Sequence, residues 1–132
     1  MVEDVLVGNS LSPEMISSGK NLIHILDEDI FDIHSALWFY ASENISWILL
    51  LGIPGLNING PKKAYETLFP ILKNNPILNL TLLNIKLVDN SDGFFSLLRN
   101  AIKTDKGIEG IRLTRNIING FFIEDVYIYR LS

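Results

Sequence analysis

Apolar and polar residues alternate on both sides of one Asn-Gly step near the end of the chain, and this pattern predicts a β-hairpin. Asn119 and Gly120 can both adopt the positive φ angles that a two-residue type I′ turn requires. Because the turn has only two residues, it also sets the register of the strands. Residues equidistant from the turn face each other, so Leu113 is predicted to lie opposite Val126.

Side chains along these two strands are predicted to alternate between the two faces of the hairpin. One face is apolar apart from Arg115, which lies opposite Glu124, and we expect this face to meet the core. Two opposite charges placed across the strands predict a structural ion pair that pins the register, and Glu109 opposite Arg130 predicts a second one. The apolar positions of this face are Ile111, Leu113, Ile117, Phe122, Val126 and Ile128.

The opposite face of the hairpin mixes aromatic, cationic and amide side chains. Such mixtures occur at binding surfaces, although tyrosine and threonine also suit a solvated strand face. We expect Arg112, Asn116, Asp125 and Tyr127 to lie close together and to form the leading candidate surface for a ligand or partner. The whole face comprises Arg112, Thr114, Asn116, Ile118, Phe121, Ile123, Asp125, Tyr127 and Tyr129.

A second pair of apolar runs surrounds a polar segment at residues 42–44 and predicts another hairpin. With the turn at residues 43 and 44, Tyr40 faces Trp47 and Trp38 faces Leu49. Both faces of these strands are then apolar. Such strands belong in the centre of a sheet with both faces covered, or they cover one face with a partner subunit.

Capping signals and helical spacing predict three helices. The first begins at Ser12-Pro13-Glu14 and runs to about Leu26. The second begins at Pro61, and Pro70 predicts a kink or an early stop before a definite end at residues 75–76. The third follows the caps at residues 89–92, and its apolar positions are Phe94, Leu97, Leu98, Ala101 and Ile102.

The segment around Leu83–Leu87 alternates like a strand with one wet face, and Lys86 indicates a sheet edge. The predicted order is therefore α-ββ-α-β-α-ββ, an α+β fold. We expect a two-layer sandwich with a five-stranded, mainly antiparallel or mixed sheet, and three helices mainly on one face. Residues 10–132 are predicted to form one domain, and residues 1–9 a mobile tail or a short extra strand.

Composition narrows the class of protein further. The chain has 132 residues, no cysteine and a net charge of −4. The absence of cysteine excludes disulfides and thiolate catalysis, and it suits a reducing compartment such as the cytoplasm. The apolar run at residues 47–54 is too short to span a membrane, so we expect no membrane contact. The basic residues are scattered, so we expect no nucleic-acid partner.

Candidate chemistry outside the hairpins is weak. His24, Asp32 and His34 fall in an acidic segment, but their spacing matches no metal motif, so we expect no metal and no cofactor. Residues 17–21 resemble the end of a phosphate-binding loop only superficially. Gly19 falls inside the first helix, where its small size predicts close packing.

Four segments carry a family resemblance: Ala36-Leu37-Trp38-Phe39-Tyr40, Gly60-Pro61 with Ala64-Tyr65, Gly110 to Thr114, and Asn119-Gly120 with Ile123 to Arg130. Together they resemble a family of small uncharacterised bacterial proteins. The resemblance spans roughly residues 14–130. It implies one compact domain of bacterial type, and it implies no activity and no functional residues.

Two functional hypotheses follow from these patterns. The leading one is a non-enzymatic cytoplasmic protein-interaction or self-association module, predicted to be a homodimer, that uses an aromatic sheet face. Its alternative is a small-ligand-binding sensor or small enzyme with a polar pocket around Arg112, Asp125 and Tyr127. The aromatic anchors of the first hypothesis are Trp38, Tyr40, Trp47, Tyr127 and Tyr129.

Overall fold

Local capping signals set the start of the longer helices. In the computed structural model, which describes residues 10–29, 31–41, 43 and 46–132, the side chain of Ser12 accepts a hydrogen bond from the Met15 amide and so caps the first helix. The helices are α1 (Pro13–Asp27), α2 (Leu56–Asn59), α3 (Pro61–Asn74) and α4 (Gly93–Arg99), with a 3₁₀ turn at Pro76–Leu78. The predicted tail at residues 1–9 lies outside the described residues. Of the predicted turn at residues 43–44, residue 44 lies outside them.

In the described part of the chain, five strands form one mixed sheet. They are β1 (Ser35–Ala41), β2 (Ser46–Ile53), β3 (Ile85–Asp89), β4 (Ile111–Ile118) and β5 (Phe121–Leu131). Their order across the sheet is β3-β2-β1-β5-β4, with β2 and β3 parallel and the other neighbours antiparallel. The predicted α+β fold is confirmed, and β3, which carries Lys86, lies at an edge as expected.

The predicted registers of both hairpins are confirmed. Tyr40 pairs with Trp47 in the first hairpin, and Leu113 pairs with Val126 in the second. At the tight turn the φ angles are 50° for Asn119 and 83° for Gly120, the conformation that a type I′ turn requires. A turn of fixed length leaves the strands no freedom to slip.

Helices cover the two faces of the sheet unequally. On one face, α1 and α3 bury a large core that includes Trp38 and Leu49. On the other face, α4 contributes Phe95 and Leu98 to a smaller core. The central strand β1 is therefore covered on both sides, as its two apolar faces predict. Most of the described helical surface lies on one face, and of the described helices α4 alone packs on the other.

The predicted faces of the last hairpin are right near its base and reversed near its tip. Ile118 joins the smaller core, while Ile117 and Phe122, expected to be inward, are 71% and 60% exposed. Arg115 has a φ of 51°, and the strands skip the pairing of Arg115 with Glu124. One residue in the left-handed region interrupts the alternation of side chains, so each position beyond it changes face.

The two predicted ion pairs are also wrong. Within the described chain, no ion pair joins Arg115 to Glu124, because the ladder is interrupted there and Arg115 is exposed. Arg130 binds Asp27 in place of Glu109, with Nη1 to Oδ1 at 3.0 Å and Nη2 to Oδ2 at 2.8 Å. The same guanidinium donates to the carbonyls of Ile33 and Gly107. One buried side chain therefore connects α1 to the loops that precede β1 and β4.

One helix end agrees with prediction and another differs. α3 continues past Pro70, so the proline does not stop it, and it ends at Asn74, beside the predicted end at residues 75–76. α4 ends at Arg99, before the predicted positions Ala101 and Ile102. The chain after α4 turns toward the sheet, where Thr104 donates its amide to the carbonyl of Leu131. Backbone pairing with β5 competes with further helical turns.

Gly19 lies where α1 crosses the large core. An added Cβ would contact the hydroxyl of Tyr129 and would lie 2.9 Å from Nε1 of Trp38. We expect Gly19→Ala to lower the free energy of unfolding by about 1–3 kcal/mol, because the overpacked helix must shift. Urea denaturation measures this loss. Gly93→Ala is the control, since nothing lies within 4 Å of its added Cβ; equal losses in both variants would contradict the packing argument.

The carboxylate of Asp89 organises the loop after β3. It accepts hydrogen bonds from the amide of Asn57 at 2.8 Å and from the amide and hydroxyl of Ser91 at 2.9 and 2.6 Å. These donors hold the pKa of Asp89 below its ordinary value of 3.8, with the Asn57 amide as the largest cause.

Acid should therefore weaken the fold through Asp89. Its pKa is depressed in the folded state, so its contribution is complete above the unfolded value of about 4 and is lost as the pH falls through the lower folded value. We expect the free energy of unfolding to fall less between pH 6 and about pH 3 in Asp89→Asn than in the parent chain. Urea titrations at both pH values measure this, with Asp105→Asn as the control; parallel acid losses in the parent and Asp89→Asn chains would refute it.

Candidate functional site

The last hairpin extends beyond the central strand. β1 pairs with β5 only as far as Phe39 and Val126, whereas β4 and β5 continue to pair up to Ile118 and Phe121. Among the described residues, the far end of the hairpin is therefore a two-stranded ribbon with no third strand beside it. Its cross-strand pair of Ile117 and Phe122 remains exposed for this reason.

A recess of about 430 Å³ lies at the base of this ribbon. Both Arg115 and Glu124 line it. The φ angle of Arg115 is in the left-handed region, and this turns successive side chains toward the same side. We call the recess together with the adjoining Ile117 the hairpin-tip surface. Its residues are Tyr40, Thr114, Arg115, Ile117, Phe122, Glu124 and Asp125.

One wall of the hairpin-tip surface is electrically balanced. Arg112 donates from Nε and Nη2 to the two oxygens of Asp125 at 3.0 and 2.7 Å, and Thr114 donates to Asp125 at 3.3 Å. The bond to Asp125 raises the pKa of the Arg112 guanidinium. Its guanidinium carbon also lies 5.8 Å from the ring centre of Trp47. Asp125 therefore has little remaining capacity for a ligand.

The other charges of the surface are uncompensated. Within the described chain, neither Arg115 nor Glu124 forms a hydrogen bond or an ion pair through its side chain. Arg115 is exposed and Glu124 is half-buried. An apolar pair beside one free cation and one free carboxylate is an arrangement suited to contact with another macromolecule.

Three of the predicted aromatic anchors lie in the core. Trp38 and Tyr129 are each 1% exposed, and Trp47 is also buried. Nε1 of Trp38 donates to the Tyr129 hydroxyl at 3.0 Å, and that hydroxyl donates to the Ile16 carbonyl at 2.6 Å. Burial raises the pKa of Tyr129. The aromatic face is therefore covered by α1 and is not an exposed contact surface.

The predicted polar pocket does not form as one site. Arg112 and Asp125 bind each other, whereas Tyr127 lines a different recess, of about 570 Å³, against α1 and Gly110. Asn116 is exposed and donates to the carbonyl of Thr114 at 3.1 Å. Arg112 and Tyr127 are still cross-strand neighbours, so the ligand-binding alternative stays a prediction.

Sequence reasoning missed Ile117 and Phe122 as surface residues. Strict alternation placed them inward, and only the φ of Arg115 reverses them. Arginine has no special preference for the left-handed region, unlike glycine or asparagine, so no residue type signals this change of face.

The acidic segment after α1 forms surface ion pairs. His34 contacts Asp32 at 3.0 Å, and Lys106 contacts the same carboxylate at 3.1 Å. These bonds lower the pKa of Asp32, with the bond from Lys106 as the largest cause. Among the described residues, no three histidine, aspartate or glutamate side chains are grouped so that they could hold a metal ion.

Neither the family models, nor the curated proteins, nor the solved structures used for comparison contain a match to this chain. The resemblance to a bacterial family therefore gains no support from them. In the part of the chain that the structure describes, no helix has the length and apolar character needed to cross a bilayer. Function must be argued from the geometry itself.

The Arg112–Asp125 pair should be modestly stabilising. The guanidinium is 44% exposed, so solvent screening reduces the interaction energy, while the two-point geometry strengthens it. We expect a coupling energy of about 1 kcal/mol in a double-mutant cycle of Arg112→Met and Asp125→Asn. Urea denaturation of the four proteins measures it. Additive losses would show that the pair contributes no mutual stabilisation.

Proposed function

We propose that this protein is a non-enzymatic self-association module that forms a homodimer through its hairpin-tip surface. The observation that carries the proposal is the exposed cross-strand pair of Ile117 and Phe122 on a ribbon that no other described element covers. Leaving two large apolar side chains in water is unfavourable, and their burial against a partner is the usual compensation.

The charges beside this pair favour a second copy as the partner. A twofold contact repeats each interaction, so a surface must be complementary to itself. The hairpin-tip surface holds one free cation, Arg115, and one free carboxylate, Glu124, on the same side of the ribbon. A twofold axis through the apolar pair brings Arg115 of each copy toward Glu124 of the other.

The cellular setting belongs to the same proposal. A chain without cysteine is suited to a reducing compartment, and we place the module in the cytoplasm of a bacterial cell. Arg112 and Asp125 contribute indirectly, because their mutual bond joins β4 to β5 at the base of the ribbon.

Charge reversal tests the twofold contact. We expect Arg115→Glu alone or Glu124→Arg alone to weaken dimerisation by about ten-fold or more, because each places two pairs of like charges in the interface. An equimolar mixture of these two variants should recover the dimer. In the mixed dimer one contact joins the two introduced side chains and the other joins the unchanged Arg115 and Glu124, so both pairs are attractive. Sedimentation velocity over a concentration series, with native mass spectrometry to count chains, measures this recovery.

Two controls accompany the charge reversals. Phe122→Ser should also weaken the dimer, whereas Ile77→Ser should not, since Ile77 is exposed but lies outside the hairpin-tip surface. Circular dichroism verifies that each variant is folded. A parent chain that remains monomeric at every concentration, or a mixture that fails to recover the dimer, would falsify the proposal.

A further inference from the structure

A groove runs along the outer side of α3, at the opposite edge of the sheet from the hairpin. Its deeper part is a cavity of about 620 Å³, between the end of α3 and the segment that precedes β3. Buried Leu72 and Leu80 form part of its lining, so the cavity adjoins the large core. The lining residues are Phe69, Leu72, Lys73, Pro76, Asn79, Leu80, Thr81, Leu82 and Leu83.

The groove continues toward the start of α3. A second cavity of about 470 Å³ shares Phe69 and Leu82 with the first, and its other lining residues are Lys62, Tyr65 and Glu66. From Lys62 to Lys73 the helix rises about 16 Å. The two cavities together form an elongated, open groove along α3, whose length suits an extended chain.

The walls of the deeper cavity are apolar and unusually exposed. Leu83 is 92% exposed and Phe69 is 53% exposed, although each has apolar neighbours along the groove. The volume lies within the range of small-molecule sites, which are concave and mostly apolar with a few polar groups. Water gains few hydrogen bonds from such a surface, so an apolar ligand would displace it favourably.

Charge at the rim specifies the polar end of the ligand. Of the described residues that line the deeper cavity, Lys73 alone is charged. Its ammonium forms no ion pair within the described chain, and the side chain of exposed Asn79 on the same rim has no hydrogen bond there either. Together they offer an ammonium and an amide to one anionic group, and no carboxylate of this cavity opposes that group.

We propose that the groove binds a free long-chain monocarboxylate. Its carboxylate lies against Lys73 and Asn79, and its apolar chain runs past Phe69 and Leu82 toward Tyr65. A peptide is a poorer match, because its backbone needs polar partners along its length and the lining is mainly hydrocarbon. The site is independent of the hairpin-tip surface, so its test does not depend on dimerisation.

Isothermal titration calorimetry with sodium dodecanoate, held below its micelle concentration, tests this site. We expect saturable binding with one carboxylate per chain, and affinity that rises about four-fold for each methylene added between decanoate and dodecanoate. Dodecyltrimethylammonium, which has the same tail and a cationic head, should bind about ten-fold more weakly. Equal binding of the two head groups would overturn the assignment of Lys73.

Variants locate the head and the tail separately. Lys73→Glu should weaken dodecanoate binding by about ten-fold, whereas Lys103→Glu, outside the groove, should not. Phe69→Gln should abolish binding, and its control is Ile58→Gln, an exposed apolar position that lines neither cavity. A larger loss in Lys62→Glu than in Lys73→Glu would overturn the proposed orientation.

A membrane surface is the competing explanation for an apolar groove with a cationic rim. Vesicles of phosphatidylglycerol and of phosphatidylcholine test it by co-sedimentation. We expect the protein to remain in the supernatant with both, because the described lining of the deeper cavity offers a single cation, Lys73, to an anionic bilayer surface. Co-sedimentation that Phe69→Gln abolishes, together with no calorimetric signal for dodecanoate, would overturn the free carboxylate as the ligand.

Discussion

The hydrogen-bonded relay from Trp38 through Tyr129 to the Ile16 carbonyl connects β1, β5 and α1 inside the large core. An indole and a phenol are buried favourably only when their polar atoms find partners, and here each satisfies the other. Gly19 allows α1 to approach closely enough for the last of these bonds. The helical layer of the molecule depends on this contact.

The positions of the helices on the sheet determine where apolar surface remains exposed. α1 and α3 cover the middle strands, and α4 covers part of the reverse side. The uncovered apolar groups are concentrated at the two ends of the sheet. At one end the β4–β5 ribbon projects beyond β1, and at the other the groove of α3 flanks the edge strand β3. The two proposed sites thus share one origin, which is the small number of helices in a small domain.

Ion pairing follows the same division between the interior and the ends. Arg130 is 3% exposed, and all three of its guanidinium nitrogens donate to Asp27 or to a carbonyl, because an unpaired buried guanidinium would be very unfavourable. Arg115 and Lys73 lie at the uncovered ends and remain available. Their charges are well solvated in water. In the two proposals, Arg115 pairs with a carboxylate of a second copy and Lys73 pairs with the head of a bound chain.

Sequence alone determined the features that depend on neighbouring residues. The Asn119–Gly120 turn specifies the register of its hairpin, capping by Ser12 specifies the start of α1, and alternation identifies the strands, because each of these is a short-range steric or hydrogen-bonding effect. Only the tertiary structure decided which face each side chain occupies beyond Arg115, that Arg130 selects Asp27, and that α1 covers the aromatic face. These outcomes depend on contacts between residues distant in sequence, where packing competes with local preference and determines the result.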